Sequence, residues 1–436
     1  MRRPIVAAML VVILAGMAVA QEAPPASGLD ALVASVYRAL ATLKGVADPG
    51  APPPIARRTR EEIRKGIDAQ LARQYPPERL EAERKSLVAW GLIPAGYDLR
   101  TLLVSLLAEQ LAAFYDPSTK SIVVGEGLGA DEQAMALVHE LVHGLQDTQI
   151  SIEAFLPREA GRGDQLLARQ ALIEGEAVAL TLDFLLRAQG KDFASLPVTE
   201  SFRLPSVSAG AGPLFKEAPR FLRDLLLFPY QEGVGFMQQF RQRAPWTRLP
   251  DLYRDPPRSS SQIMHPAKFL VRREDPVIVR LPDLDALFAP AVPTAEDEMG
   301  EFGLGGVLGA HLGEAAGRAA ALGWRGDRYR IWEDAQGRFG IVYLVAFETP
   351  ALANGFARAY TTVMETRHPR IKGTGFPRAG AMLHWSDGGA SFAIEHRGAE
   401  VLVLERVPSA SVDRVRAAVW RSRTSAVSPP AGRIAA

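Results

Sequence analysis

Two histidines and a glutamate near position 140 have the types and the spacing needed for metal chemistry. Residues 135–147 contain His139-Glu140-Leu141-Val142-His143, the pattern H-E-x-x-H. Histidines four residues apart in a helix project to the same side, so both imidazoles can bind one zinc ion. Glu140 is then placed to take a proton from a metal-bound water. Apolar residues around the pattern recur at helical spacing and predict a helix packed on a core.

A catalytic zinc ion needs a third protein ligand and an open position. Glu174 and Glu176, in a helix predicted at Gln165–Ala188, are the candidates. They project about 200° apart around the helix axis, so one cannot replace the other. Helix geometry does not choose between them. Asp147 and Asp183 are candidates to orient a ligand imidazole, with solvated or capping carboxylates as the alternative.

Taken with the downstream Glu174-Gly175-Glu176-Ala177, the H-E-x-x-H pattern resembles the gluzincin clan of zinc metallopeptidases, in particular its uncharacterised exported bacterial members. The matching motifs cover only about residues 100–190. The resemblance implies Zn²⁺ as the cofactor and a peptide or protein as the substrate. It assigns the site residues as follows: His139, His143 and Glu174 as the metal ligands and Glu140 as the general base. It therefore favours Glu174 over Glu176.

A second donor to the oxyanion is common in such sites, and His265 is the strongest candidate for this catalytic role. It lies in a polar, Ser- and Pro-rich stretch of the presumed catalytic half. Tyr230 and Tyr253 are the other candidates. The alternative for His265 is a structural loop histidine, and the sequence leaves these possibilities open.

The first 20 residues are typical of a secretory signal peptide. Arg2 and Arg3 precede an apolar run, and Ala18-Val19-Ala20 offers a small-residue cleavage site. An uncleaved anchor is the alternative, but the apolar run is short for spanning a bilayer. The chain has no cysteine, so an exported form folds without disulfides. We therefore expect a periplasmic or secreted protein.

The charge balance indicates neither a nucleic-acid partner nor an anionic membrane surface. Removal of the two signal arginines leaves 48 basic against 49 acidic residues, a net charge near −1. No second stretch approaches the length of a transmembrane helix, so we expect no stable membrane insertion after signal cleavage. The oligomeric state is not determined by the sequence.

The order of the predicted elements indicates the α+β class. We expect a mainly helical, zincin-like domain with a small edge sheet at 21–290, a smaller α+β domain at 291–425 and a disordered tail at 426–436. Predicted elements near the site are a helix at Leu102–Phe114 and a strand at Ser121–Val124 whose exposed edge can hold a peptide. Further predictions are helices at Ala218–Leu227, Gly233–Arg243 and about 300–322.

Three functional alternatives remain beside a metallopeptidase. They are a zinc hydrolase acting on a cell-envelope amide, a non-catalytic envelope binding protein stabilised by zinc, and a metal-free helix pair. The charge-rich helices predicted between residues 59 and 90 are typical of solvated scaffold, with an inhibitory propeptide as the alternative.

Overall fold

The computed structural model describes residues 26–110, 113–126, 130–156, 161–196, 212–369 and 382–422. It is 58% helical with 17% strand, and the predicted α+β class is confirmed. The predicted signal peptide and the predicted tail lie outside the described residues. Within the described part, every helix falls short of the length and apolarity that a membrane span requires.

The N-terminal part consists of helices around a three-stranded sheet. Its elements are α1 (Ala26–Lys44), β1 (Ile55–Arg58), α2 (Arg60–Gln74), α3 (Pro77–Ala89), α4 (Leu99–Gln110), β2 (Ala113–Asp116), β3 (Ser121–Gly125), α5 (Ala130–Gln149), α6 (Ile152–Phe155) and α7 (Gly163–Arg187). A capping box between Thr59 and Glu62 starts α2, because each side chain accepts a bond from the other residue's backbone N–H.

The small sheet differs from the prediction at two points. The helix predicted to reach Phe114 ends at Gln110, and Phe114 lies in β2, which pairs antiparallel with β3. Aromatic residues favour strands, and the hairpin with β3 decides between the two conformations. The strand order is β1-β3-β2, with β1 parallel to β3. The predicted exposed edge of β3 is therefore wrong, since both of its edges are paired.

The chain continues through further helices, the longest of which packs on α7. They are α8 (Pro213–Glu217), α9 (Arg220–Arg241), α10 (Leu249–Arg254), α11 (Ser260–Met264), α12 (Ala267–Leu270) and α13 (Asp285–Phe288). The two helices predicted between residues 218 and 243 are one helix, α9, with Pro229 inside it. An interior proline costs about 3 kcal/mol. Apolar side chains buried on both sides of Pro229, such as Leu226 and Phe236, offset that cost.

The C-terminal part is a six-stranded sheet with the order β4-β5-β6-β9-β8-β7. Its elements are β4 (Val292–Asp297), α14 (Gly300–Leu312), α15 (Glu314–Ala321), β5 (Trp324–Glu333), β6 (Phe339–Phe347), α16 (Pro350–Arg367), β7 (Met382–Asp387), β8 (Ala390–Arg397), β9 (Glu400–Pro408) and α17 (Val412–Ser422). The helix predicted at 300–322 is two helices, because Gly313 has a φ of 89°, which a helix cannot continue through.

Buried carboxylates join the sheet to the helices. Three of them each accept a hydrogen bond from the backbone N–H at the start of a helix: Asp297 from Gly163 (2.9 Å), Asp164 from Ser260 (3.1 Å) and Asp327 from Met299 (2.8 Å). These N–H groups favour the charged carboxylates, but burial outweighs them and raises the pKa of all three. One hydrophobic cluster also extends from Val33 to Val403. The division at residue 290 stays a prediction.

Candidate metal centre

Helix α5 presents His139 and His143 on one side, as the four-residue spacing predicts. Leu141, Val142 and Leu145 on the remaining faces are at most 1% exposed and fix the helix in the core. The Nε2 atoms of the two histidines lie 3.1 Å apart, and the ring centroids are 4.7 Å apart. Both side chains are buried. Two imidazole nitrogens therefore converge at one point, as two ligands of one ion would.

Helix α7 brings Glu174 to the same point. Its Oε2 lies 3.4 Å from Nε2 of His139 and 3.4 Å from Nε2 of His143. The ligand atoms of these three residues all lie within 4.8 Å of one another. Among the described residues, no other group of three His, Cys, Asp or Glu side chains meets that condition. The trio can hold a metal ion, but the geometry alone does not identify which metal.

Two glycines allow α7 to lie where Glu174 reaches the histidines. A Cβ added to Gly175 would lie 2.4 Å from the backbone of Gly233 in α9, and one added to Gly233 would lie 2.2 Å from the carbonyl oxygen of Ala171. The two helices therefore approach backbone to backbone. Because Gly175 has no Cβ, α7 can approach α9 closely, and this approach fixes the position of the neighbouring Glu174.

Glu176 points away from the histidines, as the 200° angle requires. One of its oxygens accepts a hydrogen bond from the hydroxyl of Tyr253, and Oε1 lies 2.5 Å from Nζ of Lys44. Both Glu176 and Lys44 are buried. Glu176 therefore has its own cation, and of the two glutamates only Glu174 lies beside the imidazoles.

The charges of the trio are mutually dependent. Burial disfavours an ionised Glu174, but the positive charge of His143 and the nearby ring nitrogens of both histidines outweigh it and lower the pKa of Glu174 to about 2. Burial likewise disfavours a charged His143, but the carboxylate of Glu174 raises the pKa of His143 to about 9. The pKa of His139 is lowered, chiefly by burial. Without a metal, His143 is therefore protonated at neutral pH, and its positive charge is paired with the ionised carboxylate of Glu174.

Glu140 is completely buried beside this trio. Its Oε2 accepts a hydrogen bond from the backbone N–H of Tyr115 in β2 (2.7 Å), whereas Oε1 has no hydrogen-bond partner. Burial raises the pKa of Glu140 to about 8, although the positive charge of His143 opposes this. A carboxylate with a pKa near neutrality is suited to accept and return a proton.

A glutamine, rather than either predicted aspartate, contacts a ligand histidine. Oε1 of Gln146 lies 2.7 Å from Nδ1 of His143. Asp147 instead accepts hydrogen bonds from the hydroxyl of Tyr115 and from the backbone of Ile152. Sequence reasoning that is confined to carboxylates does not find Gln146. Its position three residues after His143, on the same side of the helix, is the signal that could have found it.

The second predicted aspartate, Asp183, also lies outside the group around the histidines. Its oxygens accept hydrogen bonds from the backbone N–H of Phe193 (3.1 Å) and from the indole of Trp246 (2.7 Å). These bonds tie α7 to the segments that follow it. Asp183 is therefore a buried structural carboxylate that holds two neighbouring segments together.

The structure does not bring His265 to the metal trio. Nε2 of His265 lies 2.7 Å from Oε1 of the buried Glu301, and the pair lines a separate cavity of about 370 Å³ with Phe228 and Phe302. Of the tyrosines, Tyr230 is buried with its ring centroid 6.4 Å from that of His139. Tyr253 contacts Gln146 and Glu176 instead.

The trio and Glu140 are closed off from solvent. Their exposed fractions are 0% for His139, 0% for Glu140, 3% for His143 and 4% for Glu174. Pro53, which precedes β1, packs on Gly144 next to His143, and α1 contributes Lys44 to the buried pair with Glu176. The N-terminal segment therefore covers this region. A larger cavity of about 940 Å³ lies elsewhere, at the sheet, and is lined by Arg325, Phe347 and other residues.

Comparison with known proteins informs only the C-terminal part. A family described as "Domain of unknown function (DUF8575)" matches residues 290–416. No curated protein matches the chain. No solved structure matches it either. The matched segment contains β4 to β9 but none of the metal trio, so the comparisons leave the gluzincin resemblance as a prediction.

Proposed function

We propose that this chain is an exported zinc-dependent metallopeptidase of the gluzincin type, acting on peptides or proteins in the periplasm or outside the cell. The observation that carries the proposal is the meeting of His139, His143 and Glu174, with Glu140 buried beside them. Two neutral imidazoles and a carboxylate are a common ligand set of catalytic zinc.

The donor atoms fit a bound cation. The buried Oε2 of Glu174 and Oε1 of Glu140 have no hydrogen-bond donor, and buried polar atoms without a partner are costly. A metal ion at the trio would satisfy the first, and a water molecule or substrate beside it would satisfy the second. The same three residues would hold the metal in a catalytic and in a purely structural site.

Bound zinc would supply Lewis-acid chemistry, by acidifying a water molecule and stabilising negative charge on a carbonyl oxygen. Glu140 would accept the proton of that water on Oε1 and later return it to the leaving amine. The N–H of Tyr115 holds the other oxygen of Glu140, so the free oxygen is kept in one orientation. Buried surroundings strengthen each of these electrostatic contacts.

The closed surroundings favour a second candidate, a non-catalytic envelope protein whose metal stabilises the fold. The ligands are at most 4% exposed, and β3 has no free edge to hold a substrate strand. Structural zinc sites are closed, whereas catalytic sites keep an open position. A peptidase with this fold would have to move the covering N-terminal segment before a substrate enters.

Zinc content and peptide hydrolysis, measured together, separate the candidates. We expect one zinc per chain in the wild type and a strongly weakened zinc site in Glu174→Ala. Glu140→Gln should keep the zinc and abolish cleavage of a mixed peptide library followed by mass spectrometry. Zinc without hydrolysis in both wild type and Glu140→Gln would favour the structural site. Absence of zinc from protein never exposed to chelator would refute both.

Export is tested separately. Expressed with its full N-terminus in a bacterium, the chain should be recovered from the periplasm or medium with Gln21 as its first residue, which mass spectrometry of the intact protein measures. A full-length chain retained in the cytoplasm would contradict the signal peptide without bearing on the metal.

A further inference from the structure

A buried hydrogen-bond network contacts the side of the His143 ring that faces away from His139 and Glu174. Oε1 of Gln146 lies 2.7 Å from Nδ1 of His143, and Gln146 is 0% exposed. The Nε2 amide group of Gln146 donates to the carbonyl oxygen of Ile173 (2.9 Å) and to the hydroxyl of Tyr253 (3.2 Å). All the hydrogen-bonding atoms of this amide are therefore used.

The contacts of Gln146 fix its orientation. The carbonyl oxygen of Ile173 can only accept, so the amide NH₂ must face it and Oε1 must face His143. Because Oε1 can only accept, Nδ1 of His143 must carry a proton and donate it. The nitrogen that remains for a metal is Nε2, which lies 3.1 Å from Nε2 of His139. The network thus selects which nitrogen can bind a metal.

The far end of the network is anchored in α1. Tyr253 donates its hydroxyl to Glu176 and accepts from Gln146, so its hydroxyl direction is also fixed. Glu176 in turn lies 2.5 Å from Nζ of Lys44, with exposed side-chain fractions of 0% and 1%. The hydrogen bonds from Glu176 through Tyr253 and Gln146 to His143 therefore form one continuous buried chain.

We propose that Gln146 is a positioning residue of the metal centre. It acts through His143, by holding the imidazole with Nδ1–H turned inward and Nε2 turned toward the other ligands. Tyr253 and Glu176 keep the amide of Gln146 in that orientation. This inference rests on the proposed metal site but not on peptidase activity, and outer contacts of this kind typically change metal affinity about 10- to 100-fold.

Gln146→Met tests the role, because methionine has nearly the same length and volume but no amide. We expect the zinc dissociation constant, measured by chelator competition, to rise about 10- to 100-fold. The visible absorption spectrum of the Co²⁺-loaded protein should also change, since a freed imidazole alters the ligand geometry.

The chain offers a matched control in Gln238. It is 1% exposed, and its amide donates to the backbone carbonyl of Leu196 (3.0 Å). Gln238→Met removes an equally buried amide without touching a histidine. It should lower stability but leave zinc affinity and the Co²⁺ spectrum unchanged.

Equal zinc affinity and identical Co²⁺ spectra in wild type and Gln146→Met would overturn the inference. So would an equal loss of zinc affinity in Gln146→Met and Gln238→Met, because the effect would then be general destabilisation. If Gln146→Met does not fold, Tyr253→Phe replaces it, and an unchanged Co²⁺ spectrum in that variant refutes the network. A wild type that binds neither metal refutes the proposed function itself, which keeps the two failures distinguishable.

Discussion

The crossing of α7 and α9 makes the sharpest prediction, because two glycines in one helix differ only in what surrounds them. A Cβ at Gly233 would lie 2.2 Å from the carbonyl oxygen of Ala171 and 2.9 Å from Cα of Gly175. Both are backbone atoms and cannot rotate away. A Cβ at Gly235, two residues later in α9, meets nothing within 4 Å.

The expected magnitudes follow from these contacts. Alanine in place of a helical glycine stabilises the helix by about 1 kcal/mol. At Gly233 the overpacking against backbone costs about 3 kcal/mol, since the helices must separate by about 1 Å. We therefore expect Gly233→Ala to lower the free energy of unfolding by about 2 kcal/mol and Gly235→Ala to raise it by up to about 1 kcal/mol.

Urea denaturation followed by circular dichroism measures both changes, and chelator competition measures zinc affinity. Because Ala171 and Gly175 flank Glu174 in α7, Gly233→Ala should also weaken zinc binding about tenfold or more, whereas Gly235→Ala should not. Equal stabilities of the two variants would show that the helices do not meet backbone to backbone. Lower stability of Gly233→Ala with unchanged zinc affinity would show that the helix crossing does not position the metal ligands.

Three further predictions concern buried charges. Lys44→Met should lower the free energy of unfolding by about 3–5 kcal/mol, because it leaves the carboxylate of Glu176 without its cation. Adding Glu176→Gln should restore most of the lost stability. Equal stabilities of the single and the double variant would contradict the pairing. Burial disfavours an ionised Glu405, but Arg367 and His368 outweigh it and lower the pKa of Glu405 to about 2. The ionised Glu405 therefore contributes at most about 3 kcal/mol to the free energy of unfolding above pH 4.5, and this contribution is lost as the pH falls toward 2. Unfolding measured at several pH values should show this loss of stability. In Arg367→Met the loss on acidification should be smaller. Zinc binding should displace one proton, that of His143. Zinc affinity should therefore fall about tenfold per pH unit as the pH is lowered from 9 to 7, and a pH-independent affinity would contradict this.

Local patterns predicted the helices and strands that carry strong periodic or capping signals. The H-E-x-x-H helix and the long helix with Glu174 lie close to their predicted positions. Predictions failed where local preference and packing disagree. Pro229 does not end its helix, and Phe114 lies in a strand, since contacts distant in sequence outweigh propensities of a few kcal/mol at most.

Strand pairing lay beyond the sequence pattern for a similar reason. The sequence of Ser121–Gly125 predicts a strand, but whether that strand has a free edge depends on which other segments pair with it. Ile55–Arg58, which directly follows a proline-rich stretch, supplies that partner. The choice was made by a segment more than 60 residues away, which no local periodicity reveals.

For the candidate site, the sequence by itself determined the chemistry: residue types that bind zinc, one helical turn between His139 and His143, and the opposite directions of Glu174 and Glu176 on their helix. These follow from side-chain identity and the 100° step of a helix, which need no tertiary contact. The tertiary structure decided which glutamate meets the histidines, that Gln146 holds His143, that His265 lies at another cavity and that the N-terminal segment closes the site. Each of these depends on how helices distant in the chain cross and pack, and that is a property of the whole core.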